Sequence, residues 1–229
     1  MMKAVIFDVD GTLFDSMPFW DDAGKLFLES VGIYAKEDLS HTLLSMTMKE
    51  GAEYLIKNYV PQMTIDEVLQ GIIDVMNDAY RNKISLKKGA AQLLKRLKEN
   101  NIPVVIATAT DRTLLEAALN RLEIFDFIDK IFTCSECNTT KSVPDIYLNA
   151  CDWLDTSPEE TVVFEDTLQA ISTVSASNFI TVAVKDQSSI HHQVQIKEKA
   201  DLFIEDFNQF NLEKYLGGKD ENSINYCRQ

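Results

Sequence analysis

The sequence predicts an α/β fold: a parallel sheet with helices on both faces, into which a separate all-helical subdomain is inserted after the first strand. Three observations predict it. Short continuous apolar runs recur along the chain, and segments with apolar residues at three- and four-residue intervals lie between them. The interval from 15 to 86 breaks this rhythm and carries helical periodicity alone.

In order, the first run is AVIF (4–7). It is followed by the helix-like DDAGKLFLESVGI (21–33), MKEGAEYLIKNYV (48–60) and TIDEVLQGIIDVMNDAYRNK (64–83), separated by polar or glycine breaks. GAAQLLKRLKEN (89–100) then precedes IPVVIA (102–107), and RTLLEAALNRLEIF (112–125) precedes KIF (130–132). PDIYLNACDWL (144–154) leads to TVVF (161–164), with ITVAV (180–184) beyond. Runs that are apolar throughout, not alternating, predict strands buried on both faces, and strand alternating with helix predicts parallel pairing. The expected division is an α/β core of residues 1–14 and 87–216, a helical unit of 15–86 and a flexible tail of 217–229.

Composition bounds the chemistry. With 45% hydrophobic and 25% charged residues, the 229-residue chain is an ordinary globular sequence with enough length for a substantial core. A formal charge of −14 argues against nucleic acid or an anionic membrane as partner, since both need clustered Lys and Arg. No apolar run approaches the roughly 20 residues of a membrane span. The N-terminus also lacks the basic region and cleavage site of a signal peptide, so a cytoplasmic protein is expected, with no protein partner evident. Cys134 and Cys137 form a lone C-x-x-C without a second pair at zinc-like spacing; with Cys151 and Cys227 they read as reduced thiols. His191 and His192 read as a surface helix start.

In an open parallel sheet, ligands bind beyond the carboxyl ends of the strands. Those ends carry Asp8 and Asp10, then Thr108 and Thr110, then Lys141, then Glu165 and Asp166. Taken singly, each has a structural reading: Thr110 as a cap of the helix beginning near Asp111, Lys141 as a solvated side chain, Glu165 and Asp166 as a first helical turn. Together they deliver carboxylates, a hydroxyl and an ammonium to one edge. Asp8, Asp10 and Asp166 are hard oxygen ligands suited to Mg²⁺, which would relieve their mutual repulsion. With Lys141 and the ion neutralising a phosphoryl group, Asp8 is expected to attack phosphorus and form an aspartyl phosphate. Asp10, on the same side of an extended segment, is expected to protonate the leaving oxygen and later take a proton from water. Asp15, at the crossing into the helical unit, is expected to fix a hinge and helix start, not to react.

These residues carry a family likeness. DVDGTLFDS (8–16) resembles the first signature of the haloacid-dehalogenase-like (HAD) superfamily. VVIAT (104–108), KSVPDIY (141–147) and VFEDT (163–167) are similar to its second, lysine and acidic motifs, in order along nearly the whole chain. The resemblance implies a Rossmann-like core, Asp8 as nucleophile and Asp10 as acid/base. It also implies Mg²⁺ held by Asp8, the Asp10 backbone carbonyl and Asp166, with phosphate bound by Thr108, Ala109 and Lys141. Gly11, Thr12, Asp15 and Glu165 are expected to support them. The insertion at 15–86 corresponds to the mobile four-helix cap of the β-phosphoglucomutase-like branch, where substrate choice is expected to lie. The chain departs from the family pattern at Ser142, usually proline, at Ala170, usually glycine, and at Ser177 and Asn178, usually alanine and glycine. Asn178 suits a left-handed helix end, whereas a methyl at Ala170 would shift the backbone if it passes close to a neighbour.

The resemblance implies a Mg²⁺-dependent phosphatase acting on a small phosphorylated metabolite of sugar-phosphate type. Dehalogenases of the superfamily lack the second aspartate, so Asp10 argues for phosphoryl transfer. The alternative is a sugar-phosphate mutase, but Trp20 stands where the mutase carries a cap histidine, and Met48 stands near its cap arginine. In SMPFW (16–20) the aromatics are also expected to pack inside the helical unit, behind a helix start at Pro18. A non-catalytic phosphate- or metal-binding protein has no need of Asp10.

Overall fold

The computed structural model describes residues 1–217, so most of the expected tail, with Cys227, lies outside the described residues. The chain divides into two compact units: Met1–Leu13, Lys87–Ala109 and Asp126 onward form a sheet unit, and Phe14–Leu86 with Thr110–Phe125 form a helical unit. In chain order the helices are α1 (Met17–Asp21), α2 (Ala23–Ser30), α3 (Leu39–Leu43), α4 (Met48–Asn58), α5 (Ile65–Asn82), α6 (Ala90–Glu99), α7 (Arg112–Arg121), α8 (Asp145–Leu154), α9 (Leu168–Ala176), α10 (Gln193–Lys199) and α11 (Leu212–Tyr215).

The sheet unit holds six parallel strands, β1 (Ala4–Phe7), β2 (Val104–Thr108), β3 (Lys130–Thr133), β4 (Thr161–Glu165), β5 (Ile180–Val184) and β6 (Leu202–Ile204), in the order β3-β2-β1-β4-β5-β6. The expected α/β class is thus borne out, with one strand more than the apolar runs announce. β6 is only three residues long, two of them half-buried, and sits at the sheet edge, too short to register as a run.

Every residue of β1, β2 and β4 is buried, which is why their sequences are apolar throughout. Successive side chains serve opposite faces. Ile6, Val105, Ala107 and Val163 pack with Ile146, Tyr147, Ala150 and Cys151 of α8 and with Val174 of α9. On the other side of the strands Phe7 stacks on Phe164 at 4.7 Å between ring centroids, and Phe207 and Phe210 pack against Phe164 at 5.4 and 5.0 Å. Burying these rings contributes on the order of 2 kcal/mol each. Strand order reverses between β1 and β4, the point where a crevice opens at the carboxyl ends in sheets of this order. Phe7 pairs with Phe164 there, and the Asp8 N–H donates to the Phe164 carbonyl at 3.0 Å, so Asp8 leaves β1 beside Glu165.

In the helical unit, capping boxes start α4 and α5: Thr47 with Glu50, and Thr64 with Glu67. The buried residues of α5, Val68, Ile72, Met76, Ala79 and Tyr80, recur at helical spacing. Gly71 on α5 lies against the ring of Phe27 on α2, where any side chain would overlap it. Trp20 donates its indole N–H to the Tyr80 hydroxyl at 3.2 Å and the two rings meet edge to face, but Phe19 and Trp20 are only half-buried, so the aromatics of α1 lie at the rim of this unit and not inside it.

Residues 110–125 depart from the expected division. They group with the helical unit because α7 packs on α5, and Arg121 donates to the carbonyls of Tyr80, at 3.1 Å, and Ile84, satisfying orphan groups at the end of α5. Two caps also differ from expectation. The N-cap of α7 is Asp111, not Thr110, and that of α1 is Ser16, with Asp15 exposed before it. Asp15 acts through its backbone, whose N–H donates to the Ser85 carbonyl at 2.9 Å beside an antiparallel bridge between Phe14 and Leu86. Asn178 adopts φ 63° as expected, and Ala170 is buried inside α9, so its methyl is accommodated.

Candidate active site

Two strand ends and one loop build a charged cluster in the sheet unit. Asp8 follows β1, Glu165 ends β4 and Asp166 follows it; all three are buried, and each offers a carboxylate oxygen within 4.8 Å of the others. Lys141, from the segment between β3 and α8, donates to Asp8 Oδ1 and to Glu165 Oε1, the latter at 2.6 Å. Glu165 Oε1 also accepts from the Tyr147 hydroxyl at 2.9 Å, and Glu165 Oε2 from the Asp166 N–H at 3.2 Å. Glu165 is therefore strand, not first helical turn; α9 begins at Leu168, capped by Thr167.

The DGT turn is shaped by the same cluster. Gly11 adopts φ 79°, a left-handed conformation that a side chain would disfavour. The turn brings Thr12 inward, where its hydroxyl donates to Asp166 Oδ1 at 3.0 Å. Asp10 is half-buried, and its charge acts on Asp8. Thr108 is buried at the end of β2, Ala109 is exposed beyond it, and the Thr108 carbonyl accepts the Cys134 N–H at 2.8 Å. Cys134, Cys137 and Cys151 are free thiols, the first two half-buried.

Three carboxylates face one ammonium. Burial pushes the Asp8 carboxyl up to about 7, the Glu165 charge adds to that, and Lys141 pulls the other way. Asp166 is raised well above the carboxylate range by burial and then by Asp8 and Glu165. Burial disfavours the Lys141 charge, but Asp8 and Glu165 outweigh it and hold the ammonium protonated. Burial and the Glu165 charge raise the Tyr147 phenol, which stays a donor. Asp166 Oδ2 is buried without a hydrogen-bond partner among the described residues. An orphaned anionic oxygen inside an over-acidic cluster of hard ligands fits a divalent cation.

A second buried ion pair lies near enough to the cluster for the Asp186 charge to raise Asp166 a little further. Lys87 donates to Asp186 Oδ2 at 2.5 Å and to the Lys185 carbonyl at 3.0 Å. Asp186 Oδ1 accepts from the Ser188 N–H and hydroxyl at 2.8 and 2.6 Å. Within the helical unit, a cavity of about 210 Å³ is lined by Trp20, Asp21, Gly24, Leu43, Met48 and six further residues that include no Lys, Arg or His, with Ala23 beside them.

Of the residues expected from sequence, Asp8, Lys141, Glu165, Asp166 and Thr12 meet directly through hydrogen bonds or shared ligand distance. Tyr147 carries no signal of its own in the sequence: it is the last residue of KSVPDIY and lies in the first turn of α8, and only the structure places its hydroxyl on Glu165.

Comparison with known proteins places these residues in a family. The family described as haloacid dehalogenase-like hydrolase matches residues 2–176. A phosphorylated carbohydrates phosphatase of Thermotoga maritima is 26% identical over 77% of this chain and 82% of its own length. The β-phosphoglucomutase of Bacillus subtilis is 28% identical over 89% of this chain and 93% of its own. The crystal structure of a HAD hydrolase of family IA, variant 3, from Entamoeba histolytica superposes with a TM-score of 0.76 at 26% identity, covering 94% of this chain and 98% of that one. The chain belongs to the haloacid dehalogenase-like hydrolase family.

Proposed function

We propose that the chain is a Mg²⁺-dependent phosphatase of a small phosphorylated metabolite, working through an aspartyl phosphate on Asp8. One observation carries the proposal: a buried ammonium, Lys141, is shared by Asp8 and Glu165 beside an Asp166 oxygen with no hydrogen-bond partner among the described residues. That is a site built for a cation and an anionic group together. The ion would be held by Asp8, the Asp10 carbonyl and Asp166, and when bound it supplies positive charge to phosphoryl oxygens and offsets the carboxylates' repulsion.

The chain's own groups do the rest. Lys141 has three N–H donors and spends two on Asp8 and Glu165, leaving one for a phosphoryl oxygen. The Thr108 hydroxyl and the backbone at Ala109 bind further oxygens. A carboxylate oxygen of Asp8 attacks phosphorus, the bond to the leaving oxygen breaks, and that oxygen takes its proton from Asp10. Asp10 then removes a proton from water, which attacks phosphorus and returns the Asp8 carboxylate with release of inorganic phosphate. We read residues 15–86 as the cap insertion of the family pattern, with its entry and exit held together where the Asp15 N–H donates to the Ser85 carbonyl.

Hydrolysis is favoured over mutation of a sugar phosphate because Trp20 and Met48 stand where the resemblance places a mutase's cap histidine and arginine, and the cavity that both of them line has no Lys, Arg or His in its lining to hold a second phosphate. The mutase alternative draws support from the Bacillus subtilis relative. Both are tested with purified protein on a panel of phosphate monoesters, with and without Mg²⁺, beside Asp8→Asn. Metal-dependent phosphate release that vanishes in Asp8→Asn is expected; full activity in that variant would sink the mechanism. With β-glucose 1-phosphate and a trace of the bisphosphate, isomer formation without phosphate release would mean mutase.

A further inference from the structure

We propose that Tyr147 is a positioning residue for phosphoryl transfer, acting through Glu165 to set how Lys141 is shared between Glu165, Asp8 and the incoming phosphoryl group; this rests on the phosphatase function proposed above. Tyr147 is fully buried in α8, its ring edge to face with Phe179 at 6.1 Å between centroids. Its hydroxyl and the Lys141 ammonium donate to the same atom, Glu165 Oε1, at 2.9 and 2.6 Å. The other oxygen, Oε2, is tied to the Asp166 N–H at 3.2 Å. The Glu165 carboxylate is thereby held on both oxygens and cannot rotate freely.

The consequence for Lys141 follows from charge. A buried carboxylate with one donor draws that donor as close as it can, since it has nothing else to offset its desolvation. A second donor on the same oxygen weakens that pull and leaves the ammonium free to serve Asp8 and the phosphoryl oxygen. Without the phenol, Glu165 Oε1 keeps Lys141 as its one donor and takes it more fully. Tyr147 touches none of the reacting atoms in this arrangement, and its phenol is never required to give up its proton.

Tyr147→Phe removes the hydroxyl and keeps the ring on Phe179. It is expected to fold with a thermal midpoint within a few degrees of the parent, to lower kcat/KM on a phosphate monoester about tenfold, the scale of one hydrogen bond to a charged group, and to weaken binding of inorganic phosphate in the presence of Mg²⁺ about threefold. A role in packing alone would give the same losses whatever stands at position 165. The cycle with Glu165→Gln separates the two: in that background Tyr147→Phe should change phosphate affinity less than about 1.5-fold. Phosphate binding is read by calorimetry and needs no turnover, so the cycle remains readable if Glu165→Gln is inactive. Unchanged kcat/KM and phosphate affinity in Tyr147→Phe, or equal losses in both backgrounds, would overturn the inference. A parent protein that binds phosphate but hydrolyses no monoester would instead overturn the phosphatase function and leave the binding cycle to judge Tyr147.

Discussion

The sheet unit buries two lysine–aspartate pairs, and they are built differently. Around Lys87 the charges balance: Asp186 has one ammonium, and its remaining acceptor capacity is filled by the Ser188 N–H and hydroxyl. Around Lys141 they do not: two of three clustered buried carboxylates, Asp8 and Glu165, share one ammonium, and an oxygen of the third, Asp166, is left without a partner among the described residues. A balanced buried pair does structural work, tying the chain at Lys87 to the loop after β5. An unbalanced one is unfavourable by itself and is retained where an ion and an anionic substrate complete it.

The contrast breaks most sharply with Asp8→Asn. Removing a carboxylate from the over-acidic cluster is expected to abolish phosphate release, by at least about a thousandfold, while raising the thermal midpoint of the metal-free protein. A variant both inactive and markedly destabilised would show that the cluster is structural after all. Lys141→Met is expected to lower kcat/KM by about a hundredfold or more, because no other ammonium reaches Asp8 among the described ion pairs. Lys87→Met strands Asp186 and should cost about 3 kcal/mol of stability, measured by denaturant unfolding, with a loss of kcat/KM in the folded fraction well below that of Lys141→Met, because Asp186 reaches the cluster only through its charge on Asp166. A large loss of activity without destabilisation would contradict the division of labour between the two pairs.

The smallest effect is a pH dependence. Asp8 is raised from 3.8 to about 7 by burial and Glu165, against Lys141, and Asp166 is raised too. A carboxyl with a raised folded pKa binds its proton more tightly when folded. Its contribution to stability is therefore complete below the unfolded value and is lost as pH rises through the folded one, here between about 4 and about 7. Mg²⁺ favours the ionised carboxylates, so the rise in thermal midpoint it causes should be a few degrees larger at about pH 8 than at about pH 5. Equal rises at both pH values would count against the cluster as the metal site.

Much of this was legible in the sequence, for a definite reason. Asp8, Glu165 and Asp166 end continuous apolar runs, and the rule that ligands gather at carboxyl ends needs only that adjacency. What was not legible depends on partners far along the chain. Lys87 and Asp186 lie 99 residues apart, and each alone reads as an ordinary charged residue. Tyr147 reads as packing until its hydroxyl is seen on Glu165. α7 has the periodicity of any amphipathic helix, and nothing in that pattern says that it packs on α5. Asp15 carries the residue type of a cap, yet the backbone makes the contact to Ser85.

The most direct test of Asp8 as the seat of transfer is to trap the acyl phosphate. The enzyme is mixed with a hydrolysed monoester and Mg²⁺, quenched in acid within one turnover and reduced with borohydride, which converts an aspartyl phosphate to homoserine; the peptide spanning residues 3–25 is then sequenced by mass spectrometry. Homoserine at position 8, present with substrate and absent without it, is the predicted result. Turnover with an unmodified Asp8, or with the label at another residue, would contradict it.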